Sequence, residues 1–295
     1  MIVALFGPTA SGKSAVAAAL LDRLDAEVVS ADSAALYEGL PIITAAPDYA
    51  ARLVGVFPLD HEVSVGEYQH LAHEAIDEIL AAGRTPVVVG GTGLYFRAAL
   101  GTLDFPPPPE PGARERWSGV YDELGPDEAH DLLARRDPDA AARIHPNDRR
   151  RVVRALELAE VGATLARDDL WAGDLRRPTA LFALGLSVER LENRIRARTK
   201  RMLAEGAREE AVAAWALPLS PTARKVLGLE EFATLPPAEA VEAVAAATRR
   251  LARYQRKWIR RLPGVVTLDT TKRSPEELAD EIVALAGAGE RLPRR

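Results

Sequence analysis

Gly7-Pro8-Thr9-Ala10-Ser11-Gly12-Lys13-Ser14 follows directly on the apolar run Ile2-Val3-Ala4-Leu5-Phe6. The spacing G-x-x-x-x-G-K-[ST], set between a strand-like run and a helix-forming stretch, is that of a phosphate-binding loop. Its glycines let the chain curl so that successive N–H groups point at phosphate oxygens. Lys13 adds a point charge, and the helix opening near Ser14 turns the positive end of its dipole toward the anion. The Ser14 hydroxyl is placed to hold a magnesium ion that the phosphates share. The stretch could instead be a glycine-rich turn matching by chance, but its setting between strand and helix argues against that. A di- or triphosphate group is the expected ligand of Gly7, Pro8, Thr9, Ala10, Ser11, Gly12, Lys13 and Ser14.

Outward from the loop, β-branched runs alternate with alanine- and leucine-rich helical stretches. Strands are expected at residues 2–6, 27–30, 86–90, 179–184 and 265–268, and helices at 14–24, 65–82, 188–205 and 238–261. Strands separated by helix-length segments imply an α/β fold, a parallel sheet with helices on both faces. Sites in such sheets lie at the carboxyl ends of the strands, where the loop, Asp32-Ser33 and Gly90-Gly91-Thr92-Gly93 all fall. The rhythm breaks after Phe105, where Pro106–Pro109 and Pro111 make a stiff connection. Residues 1–104 and 179–295 are therefore expected to form the core, with 105–178 an inserted helical subdomain. The tail at 291–295 reads as frayed.

The chain of 295 residues has no cysteine, which excludes disulfides, thiolate metal sites and cysteine nucleophiles. Its start is unlike a signal peptide, and no apolar run approaches the ~18–20 residues that span a bilayer. A cytoplasmic protein with no membrane partner is expected, and a monomer. The net charge of -5 argues mildly against nucleic acid, yet the basic residues are clustered. Arg149-Arg150-Arg151 and Arg154 lie in the insertion. Arg249, Arg250, Arg253, Arg256, Lys257, Arg260 and Arg261 carry Tyr254 and Trp258 among them at helical spacing, and a third stripe runs from Arg190 to Arg201. Such stripes suit a polyanion surface; equally, they are solvated helix faces with the two aromatics in the core.

Asp32 is either a general base or magnesium ligand, or a turn aspartate capping its own backbone. Three glycines in Gly90-Gly91-Thr92-Gly93 exceed what a turn needs, and so suggest close approach of a ligand. The histidines, His61, His70, His73, His130 and His145, form no metal-binding spacing.

Taken together, the loop, Ala31-Asp32-Ser33, Val89-Gly90-Gly91-Thr92-Gly93-Leu94-Tyr95, Arg136-Asp137-Pro138, the run Ala141 to Arg151 and Thr248-Arg249-Arg250 through Trp258 resemble the tRNA dimethylallyltransferase family, in family order over nearly the whole chain. The resemblance implies a P-loop kinase-like core whose loop holds the diphosphate of dimethylallyl diphosphate with Mg2+, Ser14 being the metal-holding hydroxyl. It implies transfer of the dimethylallyl group to the exocyclic amine of the adenosine 3′ of a tRNA anticodon. Asp32 then matches the catalytic aspartate and Thr9 a threonine against the diphosphate. Asp32, Ser33, Ala34, Ala35, Thr92, Arg114, Arg150, Arg151 and Arg154 map to tRNA contacts, and the insertion to a clamp on the anticodon arm. Three segments depart from the family. Ile43-Thr44-Ala45-Ala46-Pro47 lacks the usual lysine, the paired histidines are missing around His61, and Glu230 stands where a base is usual, with Arg224 or Lys225 as possible substitutes.

Three other functions compete. A prenyltransferase of free adenine nucleotides would not need the basic insertion. A nucleotide kinase would leave the Asp-Ser and Gly-Gly-Thr-Gly segments without a role. A nucleotide-gated RNA-binding protein would not depend on Asp32.

Overall fold

The computed structural model describes residues 1–106, 110–165 and 175–288. Its sheet contains β1 (Ile2–Phe6), β2 (Ala26–Ala31), β3 (Ala51–Arg52), β4 (Thr85–Gly90), β5 (Thr179–Gly185) and β6 (Val266–Asp269). The strands are parallel in the order β3-β2-β4-β1-β5-β6. The helices are α1 (Lys13–Leu21), α2 (Pro41–Thr44), α3 (Val65–Ala81), α4 (Gly93–Leu100), α5 (Ala113–Arg136), α6 (Pro138–Ala141), α7 (Arg149–Glu160), α8 (Val188–Ala204), α9 (Ala207–Trp215), α10 (Leu229–Thr234), α11 (Pro237–Ile259) and α12 (Pro275–Ala288).

β1 is central because every one of its residues is apolar and both its edges are paired: Ala4 sits opposite Val88 on one side and Leu181 on the other. A strand covered on both faces reads as an unbroken apolar run, which is why 2–6 and 86–90 are legible as strands. On one face Leu5, Val28, Val87 and Phe182 pack under Val16 and Leu20 of α1 and Leu278 and Ile282 of α12. On the other, Phe6 meets Phe96 of α4 edge to face with ring centroids 5.1 Å apart, and the buried Tyr68 of α3 donates its hydroxyl to the Ser30 carbonyl at 2.9 Å.

The chain divides into two units, residues 1–102 with 171–295, and residues 103–170. Residues 175–178, expected in the insertion, pair instead with the core. Leu175 bridges to Gly101, the Arg176 N–H donates to the Leu100 carbonyl at 2.8 Å, and Asp77 of α3 binds both Arg176 and Arg177. Residues 107–109 of the expected proline connection and the tail at 291–295 lie outside the described residues.

The insertion unit is helical. α5 breaks at Gly125, whose φ of 79° leaves the helical region just before Pro126. Asp137 caps α6 by accepting from the Ala140 N–H at 2.9 Å, and Asp148 caps α7 by accepting from the Arg151 N–H at 3.2 Å. Trp117, Tyr121, Leu133, Ile144, Val152 and Leu156 form its own core.

Candidate active site at the phosphate loop

The loop leaves β1 at Gly7 and enters α1 through Gly12, whose φ of 101° is a left-handed value that few other residues tolerate. Ala10 is also left-handed, at φ 63°. Within this curl the Ser11 hydroxyl is 1% exposed and has no hydrogen-bond partner among the described residues, a buried polar atom that a bound anion would satisfy. The Lys13 ammonium donates to the Pro8 carbonyl at 2.9 Å and so lies back across the loop. Its pKa is lowered from 10.5 to about 8, chiefly by burial, with the charge of Asp32 opposing the shift and that of Arg198 adding to it.

Arg198 and Arg194 come from α8, which follows β5 at the carboxyl edge of the sheet. The Arg198 guanidinium donates to the Thr9 hydroxyl at 2.9 Å, and Arg194 reaches the Ser11 carbonyl at 3.4 Å. Arg198 is desolvated enough to fall below its ordinary pKa, with Asp32 again opposing the shift. One carboxylate therefore faces two cations around the loop. Asp32 Oδ1 accepts the Ala34 N–H at 3.1 Å, so Asp32 does make the local turn bond. Its Oδ2 has no partner among the described residues. The turn aspartate and the functional aspartate are here the same residue.

Arg194 and Arg198 belong to the arginine stripe expected to face a polyanion at large. The available signal was their i, i+4 spacing on a helix leaving a strand that neighbours β1. Gln255 of α11 carried no such signal. It is 3% exposed, and its Oε1 accepts the Thr9 N–H at 2.7 Å.

The glycines after β4 make room for side chains of α11. A Cβ on Gly91 would lie 2.5 Å from Gln255 Nε2, and one on Gly93 would collide with the Trp258 ring. Trp258 is 7% exposed while Tyr254 is 56% exposed, so the interleaved aromatics divide between core and surface. Thr92, half-buried, occupies the position before α4 without a side-chain cap bond, and Ser33 and Ala34 are half-buried with Ala35 buried. Tyr49, from the segment between α2 and β3, makes a hydrogen bond with Ser14, and its burial pushes the phenol up to about 12. Glu230 is exposed, and Arg224 stands over the Trp215 ring at 5.2 Å.

In the insertion, Glu157 is the anchor. Its side chain is 1% exposed, accepting from Arg154 Nη1 at 2.8 Å and Arg114 Nε at 3.4 Å. Arg151 lies 4.0 Å from Asp148. Arg149 donates to Asp122 at 2.6 Å and lies over the Tyr121 ring. Arg150 is exposed and has no partner among the described residues. No group of three or more His, Asp or Glu side chains could hold a metal ion among the described residues, and no helix there is long and apolar enough to cross a membrane.

A buried central strand, a glycine-turned loop and a cationic rim define a P-loop protein, as the loop sequence predicts. The model of the IPP transferase family matches residues 35–262, and the chain belongs to that family. The tRNA dimethylallyltransferase of Salinispora tropica is 40% identical, over 91% of this chain and 88% of that one. That of Rhodospirillum centenum is 41% identical over 88% of each. Among solved structures, the full-length tRNA isopentenylpyrophosphate transferase of Bacillus halodurans superposes with a TM-score of 0.68 at 29% identity, covering 98% of both chains. A eukaryotic dimethylallyltransferase caught acting on tRNA shares the fold with a TM-score of 0.82 at 24% identity, covering 100% of this chain and 81% of that one. The P-loop kinase-like fold is thus common to this chain and its solved relatives. The family model's match begins at residue 35, just beyond the loop and Asp32.

Proposed function

We propose that this enzyme transfers a dimethylallyl group from dimethylallyl diphosphate to the exocyclic amine of an adenosine beside a tRNA anticodon. The observation that carries the reading is Asp32, a carboxylate with a free oxygen, placed where its charge acts on both Lys13 and Arg198 at the phosphate loop. In the reaction the allylic C–O bond breaks, a C–N bond forms, and pyrophosphate leaves. Lys13, Arg198 and the loop N–H groups stabilise the charge gathering on the leaving group. Asp32 takes the proton that the amine must lose, as a general base. Thr9, already held by Arg198, contacts the diphosphate.

The donor set fits Mg2+ as a phosphate-shared ion. The Ser14 hydroxyl at the start of α1 would hold such an ion together with the phosphate oxygens. When bound, such an ion would neutralise part of the diphosphate charge. In the insertion, exposed Arg150 supplies charge for the tRNA backbone, and Arg114, Arg151 and Arg154 the flanking contacts. Asp32, Ser33, Ala34, Ala35 and Thr92, at two neighbouring strand ends, supply the acceptor side of the core.

The test incubates purified protein with magnesium, dimethylallyl diphosphate and unmodified tRNA, with AMP as parallel acceptor, and reads the nucleosides by mass. An adduct on tRNA adenosine and none on AMP is expected. An adduct on AMP alone would move the function to free nucleotides.

A further inference from the structure

Thr9 is tied down twice, and the two ties come from opposite parts of the chain. Arg198 holds its hydroxyl, while Gln255, 246 residues away in sequence, holds its backbone N–H at 2.7 Å. Because the partner is an N–H donor, the oxygen of the Gln255 amide must face the loop and its nitrogen must face away. That nitrogen points into the space left by the absent Cβ of Gly91, where the Gly7 carbonyl also lies 2.8 Å from the same position. One helical turn further along α11, Trp258 fills the space beside Gly93. Gln255 and Trp258 therefore enter two adjacent glycine sockets, and the sockets fix the rotation of α11 about its axis.

We propose that Gln255 is a positioning residue for the diphosphate site, setting the loop by holding Thr9. A buried amide contributes little by packing that an apolar side chain of the same length could not. What it adds is an acceptor for an N–H that would otherwise be unpaired in a half-buried loop. With that bond in place Thr9 meets Arg198, and the loop keeps its left-handed Ala10. Without it, the Thr9 hydroxyl has no fixed address, although the fold has lost only one hydrogen bond. The inference deepens the proposed function by naming what holds its phosphate-contacting threonine.

Gln255→Met keeps the length and the packing and removes the acceptor. The readouts are titration of inorganic pyrophosphate with magnesium by calorimetry, and the melting temperature. About a tenfold loss of pyrophosphate affinity, with a melting temperature close to the parent's, is expected. In a double-mutant cycle with Thr9→Ala, the pair should lose little more than the worse single variant, because both act through one threonine. Unchanged affinity in Gln255→Met, or strictly additive losses in the cycle, would overturn the proposal. Binding of pyrophosphate is read without any acceptor, so a failed transfer assay and a failed positioning test are told apart.

Discussion

In the core, Lys13 and Arg198 share one carboxylate, Asp32, and both are pulled below their ordinary pKa by desolvation. In the insertion, Arg116 holds Glu160 at 2.7 Å, Arg149 holds Asp122 at 2.6 Å, and Arg154 with Arg114 closes on the buried Glu157. The first arrangement leaves positive charge undercompensated, so a bound anion offsets the desolvation of its cations. The second is already neutralised, so its cations hold helices together and an arriving phosphate must compete for them. Cation count is therefore a poor guide to where a polyanion binds. What distinguishes a binding cation from a structural one is whether a carboxylate has reached it first, and by that measure Arg150 stands apart from its neighbours.

The largest effect expected on this contrast comes from Asp32→Ala. Transfer should fall by about two to four orders of magnitude through loss of the base, while pyrophosphate affinity holds or improves because the carboxylate opposing the cations is gone. Turnover surviving within a factor of a few would remove Asp32 as the base.

A smaller, graded effect follows from Lys13. Its pKa is lowered to about 8, so the ammonium is charged at neutral pH and loses its proton as pH rises through that value. KM for the diphosphate substrate should climb above pH 8, by about tenfold per unit at most, for a contact needing the protonated form. The same group acts on folding with the opposite sign. Between about 8 and the ordinary lysine value, the unfolded chain keeps a proton that the folded chain has shed, so this residue makes the ligand-free protein more stable as pH rises there. A flat KM profile from pH 7 to 9.5 would place Lys13 away from the diphosphate.

The smallest effect separates two adjacent arginines. Arg150→Ala should weaken tRNA binding and reduce the slope of log affinity against log salt by about one unit. Arg149→Ala should leave that slope alone, since Asp122 and Tyr121 occupy its guanidinium. Equal slopes in the two variants would erase the distinction between free and paired cations.

Much of this molecule can be read from its residues, for a simple reason. Buried parallel strands must be apolar throughout, so β1, β4 and β5 stand out without any tertiary information, and the loop spacing locates the site to within one turn. β3 is two residues long, Ala51–Arg52, too short to carry a pattern. α4 starts on a glycine, and α12 follows a short strand with no distinctive pattern to mark it. The site residues from α8 and α11 were hidden more deeply. Arg194 and Arg198 are marked only by their i, i+4 spacing, and nothing in a single sequence says that a glutamine reaches a loop 246 residues away. The glycines after β4 are the sharpest case. At Gly91 and Gly93 the side chains that come close are Gln255 and Trp258 of the same chain, which no local pattern announces.

The tie between Thr9 and Gln255 also has a bearing on how the molecule comes into being. During synthesis the loop emerges first, and the helix that fixes it comes more than two hundred residues later. Until β5 appears, the edge of β1 away from β4 is open, the kind of edge that other chains can pair with. The phosphate loop is thus translated well before the helix that completes it. A chain halted anywhere before α11 would have the loop sequence in full without the contact that sets it.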